Sequence, residues 1–127
     1  MKTLSIDYGT KNIGLALSDD SGRLGFPYKT LNNNENFFLE LSNICNKEKV
    51  EKIIIGMPIG LSGRATVTTE LVKNFIENLK NKINIDMETV DERLTTVEAN
   101  KMENKNKRNI DELSAQVLLQ SYLSEKI

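Results

Sequence analysis

An aspartate stands at position 7 directly behind the apolar residues Leu4 and Ile6. The run reads as a buried strand, where an ionised carboxylate is costly unless a cation or hydrogen-bond donors compensate it. Asp7 is therefore the first candidate for chemistry, with bonding to the amides of the following turn as the plain alternative. A second acidic group is delivered by Asp91-Glu92-Arg93, at the carboxyl end of a strand pattern over Ile83 to Val90. A third, Asp111, falls where Asn109-Ile110-Asp111-Glu112 opens a helix, and a carboxylate there also stabilises the helix dipole by about 0.3 to 1 kcal/mol. The 127 residues contain no histidine, which removes Ser-His and Cys-His nucleophile pairs and histidine-rich zinc sites. What remains for hydrolysis is carboxylate chemistry with hard cations.

Two stretches could meet an anion. Met57-Pro58-Ile59-Gly60-Leu61-Ser62-Gly63-Arg64 lies past a strand and ahead of a helix, where glycines allow close approach, helix-start amides favour phosphate and Arg64 could clamp it. A simple strand-to-helix connection is the other reading. Lys101 to Arg108 gathers Lys101, Lys105, Lys107 and Arg108, either as a solvated loop or as a local patch for phosphates. With 17 Lys and Arg against 18 Asp and Glu, the net charge of -1 gives no global basic field, so a nucleic acid must be met locally. The single cysteine, Cys45, reads as a core thiol in a reducing compartment. No apolar run approaches the roughly 18 residues of a membrane span, and a cytoplasmic protein without membrane contact is expected.

The elements that must position these groups follow from periodicity. Leu4 and Ile6, a turn at Gly9, then Ile13, Leu15 and Leu17 predict an antiparallel hairpin that flanks Asp7. Asp19-Asp20-Ser21-Gly22 reads as a polar turn, and Leu24 to Leu31 as a third strand that Pro27 assigns to a sheet edge. Phe37, Phe38, Leu41, Ile44 and Cys45 recur at helical spacing, an aromatic stripe read as core rather than as a base-stacking platform. Asn46 to Lys52 reads as a surface turn. The β-branched run Ile53-Ile54-Ile55-Gly56 predicts a central strand covered on both faces. Leu71, Val72, Phe75, Ile76 and Leu79 mark the buried face of a second helix, with Lys73, Lys80 and Lys82 pointing away. Thr95-Thr96-Val97-Glu98 resembles a capping box for a short helix, and a last helix buries Leu113, Val117, Leu118 and Tyr122. The expectation is a single α/β domain over residues 1–127, a mixed five-stranded sheet whose first three strands are antiparallel and whose later strands are joined by parallel crossovers through helices.

Four stretches, DYGTKNIGLALSD from Asp7, IIIGMPIGLSG from Ile53, DERLTT from Asp91 and IDELSAQVLLQSYL from Ile110, together resemble the YqgF family. Its members are described as Holliday junction resolvases or as nucleases that trim the 5′ end of pre-16S rRNA, on an RNase H-like fold similar to RuvC. The resemblance covers nearly the whole chain, and DERLTT is its most specific piece. It implies that Asp7, Glu92 and Asp111 form the acidic triad. Two positions depart: Gly60 stands where many members carry Asn, and Thr68 where many carry Arg or Gln.

The triad would hold two Mg²⁺ or Mn²⁺ ions, which activate water and stabilise the leaving oxyanion of a phosphodiester. Lys11, Arg64, Arg93, Lys105, Lys107 and Arg108 are the candidates for contacts to backbone phosphates. The resemblance favours structured RNA, a pre-16S rRNA precursor, as substrate over branched DNA, with a monomer or weak homodimer as the working form. Two rivals are a phosphotransferase of the actin and sugar-kinase type, disfavoured by length, and a non-catalytic RNA-binding assembly factor.

Overall fold

Alternating large and small side chains along the first two strands decide how the molecule is layered. Lys2–Asp7 forms β1 and Asn12–Ser18 forms β2, paired antiparallel with Leu4 opposite Leu17 and Ile6 opposite Leu15. Leu4, Ile6, Ile13, Leu15 and Leu17 belong to one apolar cluster, whereas Ala16 belongs to another on the opposite face of the sheet. The period of two of a strand requires that split.

The structure, a computed structural model, describes residues 2–57, 67–91 and 110–125. Within them β3 is Gly25–Asn32, α1 Phe37–Glu48, β4 Val50–Met57, α2 Val67–Lys82, β5 Asp86–Asp91 and α3 Ile110–Glu125. The sheet order is β3-β2-β1-β4-β5, with β1, β2 and β3 antiparallel and β1, β4 and β5 parallel. The expected mixed five-stranded sheet is thus present. β3 is an edge strand, and the ladder slips around Tyr28, where Ala16 pairs with Pro27 and Leu15 with Lys29. Pro27, which has no N–H to give, is tolerated at such an edge.

Helices α1 and α2 supply Phe37, Leu41, Cys45, Val72, Phe75, Ile76 and Leu79 to the first cluster, with Ile53 and Ile55 beneath them. Ile54 faces the other way, against Ala115, Leu118 and Leu119 of α3. β4 is therefore covered on both faces as its composition predicts, although β1 takes the middle of the sheet. Cys45 is buried, and burial pushes its thiol up to about 11, in keeping with a core role.

Several boundaries and faces differ from the sequence expectation. Asn46 to Glu48 complete α1, Lys49 ends it in the left-handed conformation at φ 55°, and Val50 to Lys52 already belong to β4. Ile83 donates its N–H to the Leu79 carbonyl at 2.9 Å, so the chain is still leaving α2 there and β5 starts only at Asp86. Leu71 is 38 % exposed, not part of the buried face of α2. On α3 the buried residues are Ala115, Leu118, Leu119, Tyr122 and Leu123, while Leu113 and Val117 are half-buried. The reason is that α3 lies across β1, β2 and β3, and their small residues admit the stripe centred on Ala115. The short helix expected at Thr95 falls outside the described residues, and among those described no helix is long and apolar enough to cross a membrane.

Candidate active site

Asp7 is the last residue of β1 and is half-buried. Alternation puts it on the α3 face with Ser5, two residues away, which is fully buried. Its partner across the ladder on β2 is Gly14. On β4 the ladder pairs Ile6 with Ile55, and the next residue is Gly56. Among the described residues, glycines thus flank the carboxylate on both neighbouring strands, which leaves an opening in the side-chain layer of those strands.

Helix α3 comes toward that opening by its N-terminus. Gln120 accepts the Gly25 N–H at 2.9 Å, and Gly25 pairs with Ser18 beside the first residues of β1. Nearer the other end, the Ser5 hydroxyl donates to the Ala115 carbonyl at 2.5 Å. The helix therefore runs antiparallel to β1. From Ala115 back to Asp111 is about 6 Å along a helix axis, and from Ser5 on to Asp7 about 6.6 Å along a strand. The backbone of Asp111 and that of Asp7 accordingly stand at the same end of the sheet.

β5 ends there as well. Gly56 pairs with Val90 and Met57 with Asp91, and Val90 packs on the α3 face. The end of β5 lies two strand spacings from β1, about 10 Å, with Gly56 between. Glu92 follows Asp91 directly in the chain but lies outside the described residues, as do Arg64, Arg93, Lys105, Lys107 and Arg108; the Asp111 side chain is likewise undescribed. Among the described residues no three metal-ligating side chains form a group, so the structure brings together the ends of the three acidic elements and not the triad itself.

The turn after Asp7 is pinned from β3. Asn33 donates its side-chain amide to the Gly9 carbonyl at 2.9 Å, and its N–H to the Lys11 carbonyl at 2.8 Å. Gly9 has no substitute here, because a Cβ would stand 2.2 Å from the Asn12 carbonyl oxygen. Lys11 itself is exposed on this turn, beside the site. Ser5 and Asn33 are the positioning residues missed in the sequence. The signal for Ser5 was the small face Ser5, Gly14, Ala16 and Ser18 set against large neighbours. For Asn33, inside an Asn-rich loop, no comparable signal existed.

A model of the RuvX family, described as Holliday junction resolvase, matches residues 1–125. A relative from Maridesulfovibrio salexigens named "Putative pre-16S rRNA nuclease" is 39% identical over 133 residues, covering 98% of this chain and 98% of that protein. Among solved structures, Thermus thermophilus RuvC in complex with a Holliday junction substrate aligns with a TM-score of 0.67 at 8% identity, covering 99% of this chain and 96% of that one. The fowlpox virus resolvase with Holliday junction DNA aligns with a TM-score of 0.63 at 14% identity, over 100% and 99% of the two chains. At such identities the structural likeness speaks for the fold, which is RNase H-like.

Proposed function

We propose that this chain, which belongs to the RuvX (YqgF) family, is a metal-dependent nuclease that hydrolyses phosphodiester bonds and works in 5′-end processing of pre-16S rRNA. The observation that carries this reading is the carboxylate of Asp7 at the end of the middle strand, flanked by Gly14 and Gly56 and approached by the ends of β5 and α3. A half-buried hard oxygen donor between two glycines, with two further acids one residue beyond β5 and in the first turn of α3, fits a divalent cation such as Mg²⁺ or Mn²⁺. Asp7, Glu92 and Asp111 would hold it, and the family resemblance implies two such ions.

When bound, such cations supply an activated water and stabilise the charge on the leaving oxyanion. The chain's own residues do the placing. β1 and α3, joined through Ser5 and Ala115, fix the distance between two acidic positions, and the glycine turn fixes the third side of the opening. Lys11 on that turn would neutralise a backbone phosphate, with Arg64, Arg93, Lys105, Lys107 and Arg108 in the same role farther along the nucleic acid. None of these cations reads a base, so recognition would follow the shape of the substrate. The whole of residues 1–127 would act as one domain in the cytoplasm, as a monomer or weak homodimer.

The second reading, resolution of Holliday junctions in DNA, is favoured by the description of the family itself. The purified protein should be offered a labelled pre-16S rRNA fragment and a synthetic four-way junction, each with Mg²⁺ or Mn²⁺. Faster cleavage of the RNA is expected; cutting of the junction alone would favour the second reading. Cleavage of neither would remove the nuclease and leave an RNA-binding assembly factor.

A further inference from the structure

A cavity of about 210 Å³ opens at the carboxyl end of β1 on the α1 and α2 side of the sheet, the face opposite the Asp7 carboxylate, lined among others by Tyr8, Asn33, Phe38, Asn74, Phe75 and Asn78. Its chemistry is unusual for a surface hollow. The rings of Tyr8 and Phe75 lie 4.9 Å apart, and those of Phe38 and Phe75 lie 5.9 Å apart at an interplanar angle of 27°, so the half-buried Tyr8 and Phe38 form an aromatic wall backed by the buried Phe75. Besides the Tyr8 hydroxyl, the polar lining among the described residues is three primary amides, with no ionised side chain among them. Asn74 and Asn78 are exposed and one helical turn apart on α2, so they share a face. Each offers a donor and an acceptor. Asn33 donates one side-chain amide hydrogen to the Gly9 carbonyl, and its amide oxygen is chemically an acceptor.

The ligand that matches is flat, apolar on its faces, uncharged, and carries donors and acceptors along its edge. Positive charge stands at the margin, where the Lys82 ammonium lies 5.4 Å from the Phe38 ring centroid and Lys11 is exposed on the turn that Tyr8 begins. A nucleobase attached to phosphates meets all of these conditions, since bases stack on aromatic side chains and asparagine amides pair with their edges. We infer that this cavity takes one unstacked nucleobase of the strand whose backbone passes Asp7. The inference rests on the nuclease reading and narrows its substrate. Tyr8 directly follows Asp7 at the end of β1 and lines the opposite face, so the base belongs to a nucleotide of the same nucleic-acid strand that reaches around that end of β1. A base held in a continuous duplex cannot reach such a hollow, so the bound segment is single-stranded or opened at that position.

The test is an NMR titration of ¹⁵N-labelled protein with adenosine 5′-monophosphate, and separately with ribose 5-phosphate, both without divalent cation. The side-chain amide resonances of Asn74 and Asn78 should move with the nucleotide and not with the sugar phosphate. The exposed double variant Asn74→Ala with Asn78→Ala should bind a single-stranded RNA oligomer about tenfold more weakly, the loss of the edge contacts to one base with its stacking wall left in place. Amides unmoved at millimolar nucleotide, or moved equally by ribose 5-phosphate, would overturn the assignment. Movement of the amides in a protein that cleaves nothing with Mg²⁺ would keep the cavity and remove the nuclease. Cleavage without such movement would do the reverse.

Discussion

Asp7 and Asp19 are aspartates at the exits of adjacent strands, and their surroundings give them different work. The Asp19 carboxylate accepts the Ser21 hydroxyl at 2.8 Å and the N–H groups of Arg23 and Leu24 at 3.0 and 3.3 Å. It closes the turn in which Gly22 takes a φ of 71°. The Ser21 hydroxyl, followed by those backbone donors, holds its carboxyl below the usual carboxylate range. Because the folded value is the lower one, this stabilisation is present above the unfolded value of about 3.9 and is lost as pH falls through the folded value. Asp19→Ala should therefore lower Tm at pH 7, and the gap from the wild type should narrow on acidification to about pH 2.5, as thermal melts at a series of pH values would show. The sequence displayed Asp19 as one residue of a polar turn and Asp7 as a possible turn ligand. Burial and the glycine neighbours of Asp7, which separate the two, are properties of the sheet and were not legible from spacing.

At the scale of elements, strand and helix identities were readable because the core is written in clear periods, above all in Ile53-Ile54-Ile55 and in the Phe37, Leu41, Cys45 stripe. The face of α3 was not. Apolar residues are spread around that helix, and only the small side chains of β1 and β2 select Ala115, Leu118 and Leu119 for burial. Ser5 then fixes the helix along its axis by donating to the Ala115 carbonyl. Replacing it by alanine removes one buried hydrogen bond, with a net cost of about 1 kcal/mol. Ser5→Ala should lower the urea midpoint by the corresponding amount. It should also reduce the response of the melting temperature to Mg²⁺, because α3 carries Asp111, one of the three proposed ligands. A variant equally stabilised by Mg²⁺ would show that α3 is held by packing alone.

For the molecule as a whole, near-neutral charge points to binding that is modest, sensitive to salt and directed at shape. Neutralising Lys105, Lys107 and Arg108 together should weaken RNA binding about equally across sequences and flatten its dependence on salt by up to about three counterions, measured by filter binding. An unchanged slope would return these residues to an ordinary solvated segment. That stretch, the glycine-rich loop before α2 and the DERLTT motif lie outside the described residues, so the acidic triad rests on motif order and on the meeting of element ends.

The central claim is that Asp7 is a metal-binding carboxylate of a nuclease, and the most direct measurement is the single-turnover cleavage rate of Asp7→Asn in Mg²⁺ against the wild type. Even the outer hydrogen-bond partners of metal ligands are worth about 10- to 100-fold, so the loss should exceed about a hundredfold. The metal-free melting temperature should stay close to the wild-type value, and the Mg²⁺-induced rise should shrink, since a cation that binds only the folded state stabilises it. Cleavage at the wild-type rate with the wild-type metal dependence would contradict the account.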